Sequence, residues 1–237
     1  MKRKIFSGVF LILLIGIASI IFFERKNFHV VDDENILAVV SEDEQNNKQI
    51  ISSLRDLYNN DEIVAILKFD NTDIEIPITQ GIDNKEYLTK NAFKESDIEG
   101  NPFLDYRTDI HGSPKLLIYG HNSPDRDVPF KYLDNYYDKD FFLNHQYLTL
   151  VTDKEDIKYQ IFSVYVETKN WDYMNLNFTN EDEWEEHIKR LKANSFYDTK
   201  VSVDKQDQIL ILQTCSEKED YKNFANKYLL VISRRVT

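Results

Sequence analysis

The alternation of apolar and polar positions divides this 237-residue chain into three stretches. Residues 5–23 are apolar or small and hold no charge. Residues 35–59 carry a helical repeat, with Ile50, Leu54, Leu57 and Tyr58 at i, i+4, i+7 and i+8, and Asn59-Asn60-Asp61 closes it. From there the pattern predicts strands. Segments 63–69 and 74–78 flank a turn at 70–73, and 115–119 is a short apolar run, read as a buried strand. Segments 147–151 and 157–166 read as one hairpin, 200–203 and 208–215 as another, and 228–236 as the last strand. One helix interrupts this half. Asn180 is its N-cap, Glu183 stands at N3, and Trp184, Ile188 and Leu191 form its apolar stripe. The expected fold is mostly β with flanking helices: a closed, largely antiparallel barrel of about eight strands, an N-terminal helix outside it, and a helix inserted between two late strands.

The uncharged stretch sets the topology expected of the chain. At about 1.5 Å per residue, a helix over 5–23 spans a hydrocarbon core of roughly 30 Å. Lys2, Arg3 and Lys4 precede it and keep the N-terminus on the cytoplasmic side. A cleaved signal peptide has a shorter apolar region and a small-x-small site, whereas this run ends Ile-Ile-Phe-Phe-Glu-Arg-Lys. The expectation is a cytoplasmic tail (1–4), an uncleaved transmembrane anchor (5–23), a linker (24–34) and one extracellular domain (35–237). The chain carries 29 basic and 41 acidic residues, a net of −12. Removing residues 1–26 takes away five basic and one acidic residue and leaves 24 against 40, a net of −16. So acidic a domain is a poor partner for nucleic acid or for an anionic membrane surface.

Cys215 is the only cysteine, so an exported domain of this kind has no disulfide framework. Most single cysteines are small buried hydrophobes. Cys215, however, ends the apolar run Ile209-Leu210-Ile211-Leu212-Gln213-Thr214 and precedes the polar stretch Ser216-Glu217-Lys218-Glu219-Asp220, a position suited to chemistry. A nucleophilic thiol needs an imidazole to handle its proton. Of the five histidines, His29 falls in the linker, His111 in a polar turn, His145 at the end of a short helix, and His187 beside the apolar stripe of the inserted helix. His121 differs. It leaves the buried run Leu116-Leu117-Ile118-Tyr119 through Gly120, which permits a sharp turn, and so mirrors the setting of Cys215. No residue spacing suggests a metal site, and no cofactor is implied.

Leu-Ile-Tyr-Gly-His-Asn (117–122), followed much later by Ile-Leu-Gln-Thr-Cys (211–215), resembles the two signatures of sortases, the cysteine transpeptidases of Gram-positive cell surfaces, and most closely those of class B. Segments 71–81, 101–107 and 130–145 are similar to class B stretches around the histidine strand, and the helix at 180–193 resembles the insertion that separates class B from class A. The resemblance covers roughly residues 35–237. It implies that Cys215 attacks a carbonyl in the C-terminal sorting signal of an exported protein and forms a thioester. His121 protonates the leaving amine, and an amine of a peptidoglycan precursor or cross-bridge resolves the intermediate. It also implies an arginine at the start of the strand after the cysteine, where this chain has Tyr228. Thr214 and Arg234 complete the candidate substrate-binding set. Arg234 stands roughly 20 Å along the strand from Tyr228 at about 3.3 Å per residue, and Lys222 or Lys227 offers charge from the intervening loop. Two other readings fit the same residues. One is another exported cysteine peptidase, although papain-like enzymes place cysteine before histidine. The other is a non-catalytic, membrane-anchored surface binding domain with an inert thiol.

Overall fold

Among the described residues, eight strands close into a barrel. The computed structural model describes residues 47–236. The strands are β1 (Ile63–Phe69), β2 (Glu75–Thr79), β3 (Phe103–Leu104), β4 (Lys115–Tyr119), β5 (Tyr147–Thr152), β6 (Asp156–Glu167), β7 (Ile209–Cys215) and β8 (Tyr228–Arg235). Their order around the barrel is β1-β2-β3-β4-β7-β8-β6-β5. The β2/β3 and β4/β7 pairs are parallel and the others antiparallel. The helices are α1 (Asn47–Tyr58), α2 (Lys139–Asn144) and α3 (Glu181–Ala193), and a long 3-10 segment spans Pro129–Tyr137.

The two-residue period of each strand splits its side chains between two cores. On β7, Leu210 and Leu212 point into the barrel with Leu116 and Ile118 of β4 and Leu229 and Val231 of β8. Ile209 and Ile211 point outward with Leu117, Tyr119, Leu230 and Ile232, and α3 covers them with Trp184, Ile188 and Leu191. Burying an aliphatic side chain of this size contributes about 1.5–3 kcal/mol, so the stripe is what holds α3 on the barrel wall. The helix starts as its sequence predicts: Asn180 Oδ1 accepts from Glu183 N (2.9 Å). The Glu183 carboxylate reaches past the cap to Thr179, accepting from its N–H (2.8 Å) and hydroxyl (2.7 Å).

Several expectations change. The α1 stripe is Ile51, Leu54 and Tyr58, packed on Ile63, Ile66 and Val151, while Leu57 turns outward at 54% exposure. Residues 35–46 of the expected helix, like the tail, anchor and linker of 1–34 and the position of His29, lie outside the described residues. Segment 200–203 is not a strand. Lys200 takes a left-handed φ of 58°, which breaks an extended run, and the Val201 carbonyl accepts from Lys192 Nζ (2.7 Å) instead of a ladder partner. β7 therefore forms no hairpin with 200–203 and lies between β4 and β8. Gly120 is absent from the positive-φ positions, so it is not needed for an unusual turn. What requires glycine there is the Phe130 ring, whose atoms would lie 2.6 Å from an added Cβ.

Candidate functional site

The parallel β4/β7 ladder decides where the histidine and the thiol go. Its register is constant from Lys115↔Ile209 to Tyr119↔Gln213. Two residues further on, the same offset sets His121 level with Cys215 on neighbouring chain segments, and adjacent strands lie about 4.8 Å apart. Hydrogen bonds carry the pairing past the end of the ladder. Gly120 N donates to Gln213 O (3.1 Å), Thr214 Oγ1 donates to Gly120 O (2.9 Å), and Asn122 Nδ2 donates to Cys215 O (3.0 Å). His121 Nε2 is 2.9 Å from the Leu88 carbonyl. A carbonyl only accepts, so Nε2 carries a proton and Nδ1 is left for proton transfer.

Cys215 is a free, half-buried thiol. Burial pushes its pKa up and Glu217 adds to the rise, while Lys227 opposes both. The resting group is thus a thiol whose proton needs a nearby base. Across the antiparallel β7/β8 ladder its partner is Tyr228. Ser216 N donates to Lys227 O (2.7 Å) and Arg235 N to Gln208 O (2.8 Å). The alternation between these two bonded positions makes Cys215↔Tyr228 a non-hydrogen-bonded pair, in which Cα atoms approach to about 4.5 Å and the side chains lie closest. Both face outward, on the side of Tyr119 and Leu230. Trp171, 48% exposed, packs on the Tyr228 ring with centroids 5.0 Å apart. Tyr173 donates to Gln213 Oε1 (3.2 Å). Deeper in the same wall, Tyr119 donates to Asp105 (2.7 Å), and the Arg107 guanidinium forks onto that carboxylate (2.9 and 2.6 Å).

The remaining candidates separate from this group. Thr214 is fully buried with its hydroxyl spent on Gly120, so it ties two segments together and offers no atom to a substrate. Arg234 pairs with Ile209, at the opposite end of β7 from Cys215, and forms an ion pair with Asp207 at 3.3 Å. Lys222 is ion-paired with Glu219, and Lys227 stands 3.8 Å from Glu217. His145 caps α2 and stacks on Phe141. His111 pairs with Asp153 at 2.9 Å. His187 is buried against Lys115 Nζ (2.8 Å). Asn122, Trp171 and the Leu88 carbonyl were not singled out by sequence. Only Asn122, adjacent to His121, had a signal that could have found it. No group of three metal-ligating side chains occurs among the described residues.

Comparison with known proteins places this geometry. The family model described as "Sortase domain" matches residues 67–236. The chain is 32% identical over 220 residues to sortase B of Listeria monocytogenes, covering 91% of this chain and 88% of that protein. Two solved structures superpose with TM-scores of 0.79: a Staphylococcus aureus sortase B described as a substrate complex, and a sortase B described as complexed with triglycine. Each is 24% identical over 90% of this chain, covering 96% and 97% of its own.

Proposed function

Because this chain belongs to the sortase family, within class B, and is a cysteine transpeptidase, we propose that Cys215 is its nucleophile, His121 its acid–base group and Tyr228 its oxyanion donor. The observation that carries the assignment is the parallel β4/β7 register, whose offset, continued two residues past Tyr119↔Gln213, sets His121 beside Cys215, with hydrogen bonds from Thr214 to Gly120 and from Asn122 to Cys215 on either side. In the first half-reaction the Cys215 proton passes to His121 and the sulfur adds to a peptide carbonyl of the sorting signal. Tyr228 donates to the developing oxyanion from across the strand pair. The C–N bond breaks, His121 returns the proton to the departing amine, and a thioester remains. In the second half-reaction an incoming amine gives a proton to His121 and attacks the thioester, and the proton returns to sulfur. The substrate complex and the triglycine complex described for the two sortase B structures support a sorting-signal peptide as donor and a peptidoglycan amine as acceptor here.

The uncharged stretch 5–23 supports a membrane-anchored enzyme with its N-terminus inside and its domain at the outer surface, where exported clients emerge. The full chain should stay with the membrane through alkaline extraction, and a chain lacking 1–26 should be released. For the chemistry, the full chain in detergent is incubated with a library of sorting-signal peptides and analysed by mass spectrometry. An acyl adduct on Cys215, discharged by added amine, is the expected result. Cleavage retained in Cys215→Ala would overturn the assignment.

A further inference from the structure

The β4 ladder ends at Tyr119, two residues before His121, yet His121 has to be held against the end of β7. The residues after the histidine and after the cysteine are both docked on one face of the 3-10 segment Pro129–Tyr137. Asn122 Nδ2 donates to Asp134 Oδ1 (2.9 Å) as well as to Cys215 O (3.0 Å). Ser216 Oγ, fully buried, lies 2.5 Å from the Tyr137 hydroxyl. Asp134 and Tyr137 are three residues apart, and with three residues per turn they present the same side of the segment.

The amide of Asn122 has only one orientation here. Both its contacts are acceptors, so flipping it would set an oxygen against a carboxylate and a carbonyl. In the orientation that remains, Oδ1 is buried without a partner among the described residues. The two acceptors on Nδ2, Asp134 Oδ1 and the Cys215 carbonyl, therefore fix the amide's orientation without help from any partner of Oδ1.

We propose that Asn122 is a positioning residue for Cys215, with Asp134 orienting it: one amide group takes over from the missing backbone ladder and fixes the nucleophile's carbonyl against the loop that carries His121. This rests on the assignment of Cys215 and His121 as the reacting pair. Nothing in it requires Asn122 to touch substrate.

The test uses the full chain and reads single-turnover acylation, steady-state kcat and KM, and the thermal midpoint. Asn122→Asp keeps the shape, removes the donor and faces the Asp134 carboxylate. The expected result is a kcat loss of about 30-fold or more, KM within about 3-fold, and a lower Tm. The double variant Asn122→Asp with Asp134→Asn restores the contact between 122 and 134 with reversed polarity but leaves the Cys215 carbonyl without its donor. It should recover Tm to within about 3 °C of wild type while kcat stays at least about 10-fold down. If kcat returns together with Tm, the contact is merely structural and the proposal fails. Should either variant not fold, the uncharged Asn122→Ala must show the same kcat-specific loss, and a loss under about 3-fold there also overturns it. A wild type that never acylates Cys215 removes the underlying assignment. Normal acylation with full turnover in the double variant removes only the role of Asn122.

Discussion

Removing one oxygen atom tests the least conventional part of the site. Tyr228 stands where the resemblance to sortases implies an arginine, directly across β7/β8 from Cys215. Burial and then the neighbouring sulfur push its pKa up, so the hydroxyl remains a donor throughout the neutral range. It has no hydrogen-bond partner among the described residues, whereas the Tyr173 hydroxyl beside it is committed to Gln213. Tyr228→Phe deletes only this donor. The ring stays against Trp171 and Tyr173, so the fold should be unaffected. A hydrogen bond to a charged group is worth about 1.5–3 kcal/mol. If it forms only with the oxyanion, its loss slows acylation by about 10- to 150-fold at 1.36 kcal/mol per tenfold, with little change in KM. The assay is rapid-quench acylation with a cleavable sorting-signal peptide, with the thermal midpoint measured alongside. Tyr228→Arg restores a charged fork and should acylate at least as fast as wild type. Acylation by Tyr228→Phe within about 2-fold of wild type would refute the role given to the hydroxyl.

Gly120→Ala would push a methyl group to 2.6 Å from the fully buried Phe130 ring and should cost about 1–3 kcal/mol in chemical denaturation; adding Phe130→Leu should recover part of that loss, and an undisturbed Gly120→Ala would contradict the close approach. His187, desolvated beside Lys115 and Arg190, has its pKa lowered to about 3. The unfolded chain takes up that proton near pH 6.5 and the native state only far below, so stability present above pH 6.5 is lost as pH falls, by up to about 1.4 kcal/mol per pH unit. His187→Gln keeps an acceptor for Lys115 but does not titrate, so its stability curve should be shallower than wild type between pH 6 and 4; parallel curves would show that His187 does not hold its native state neutral.

The elements legible in the sequence are those whose burial is settled by their own periodicity. The apolar runs Leu116–Tyr119 and Ile209–Leu212 have both faces covered, one by the barrel interior and one by α3 or the wall around Tyr119, so they read as buried strands without knowledge of their neighbours. The stripe of α3 and its Asn180 cap were visible for the same reason. Segment 200–203 shows the limit: its composition suits a strand, but it carries a left-handed φ at Lys200, and the Val201 carbonyl accepts from Lys192 of α3, a tertiary contact that composition does not record. β3, two residues long, has too few positions to show a period at all. In α1, Leu57 fits the helical repeat as well as Ile51 does; only the placement of α1 on β1 and β5 decides which of them is buried.

The site follows the same division. Cys215 and His121 stood out as candidates because the one ends a buried strand and the other closely follows the end of one, and a strand end is a local property. That the two ends meet depends on the parallel pairing of β4 with β7, across ninety-four residues and an inserted helix. No hairpin rule supplies such a pairing, since parallel neighbours require a crossover connection. The arrangement has a mechanical consequence. In a hairpin, a turn fixes the relative height of two facing residues; here only the ladder and its side-chain extensions do so. Those extensions, Thr214 to Gly120 and Asn122 to Cys215, therefore stand where a turn would otherwise have been, and this is why hydrogen-bonding side chains flank His121 and Cys215. The same reasoning accounts for Arg234. It shares a strand and a face with Tyr228, but register along that strand sets it opposite Ile209, so neither its charge nor its closeness in sequence brings it to the thiol.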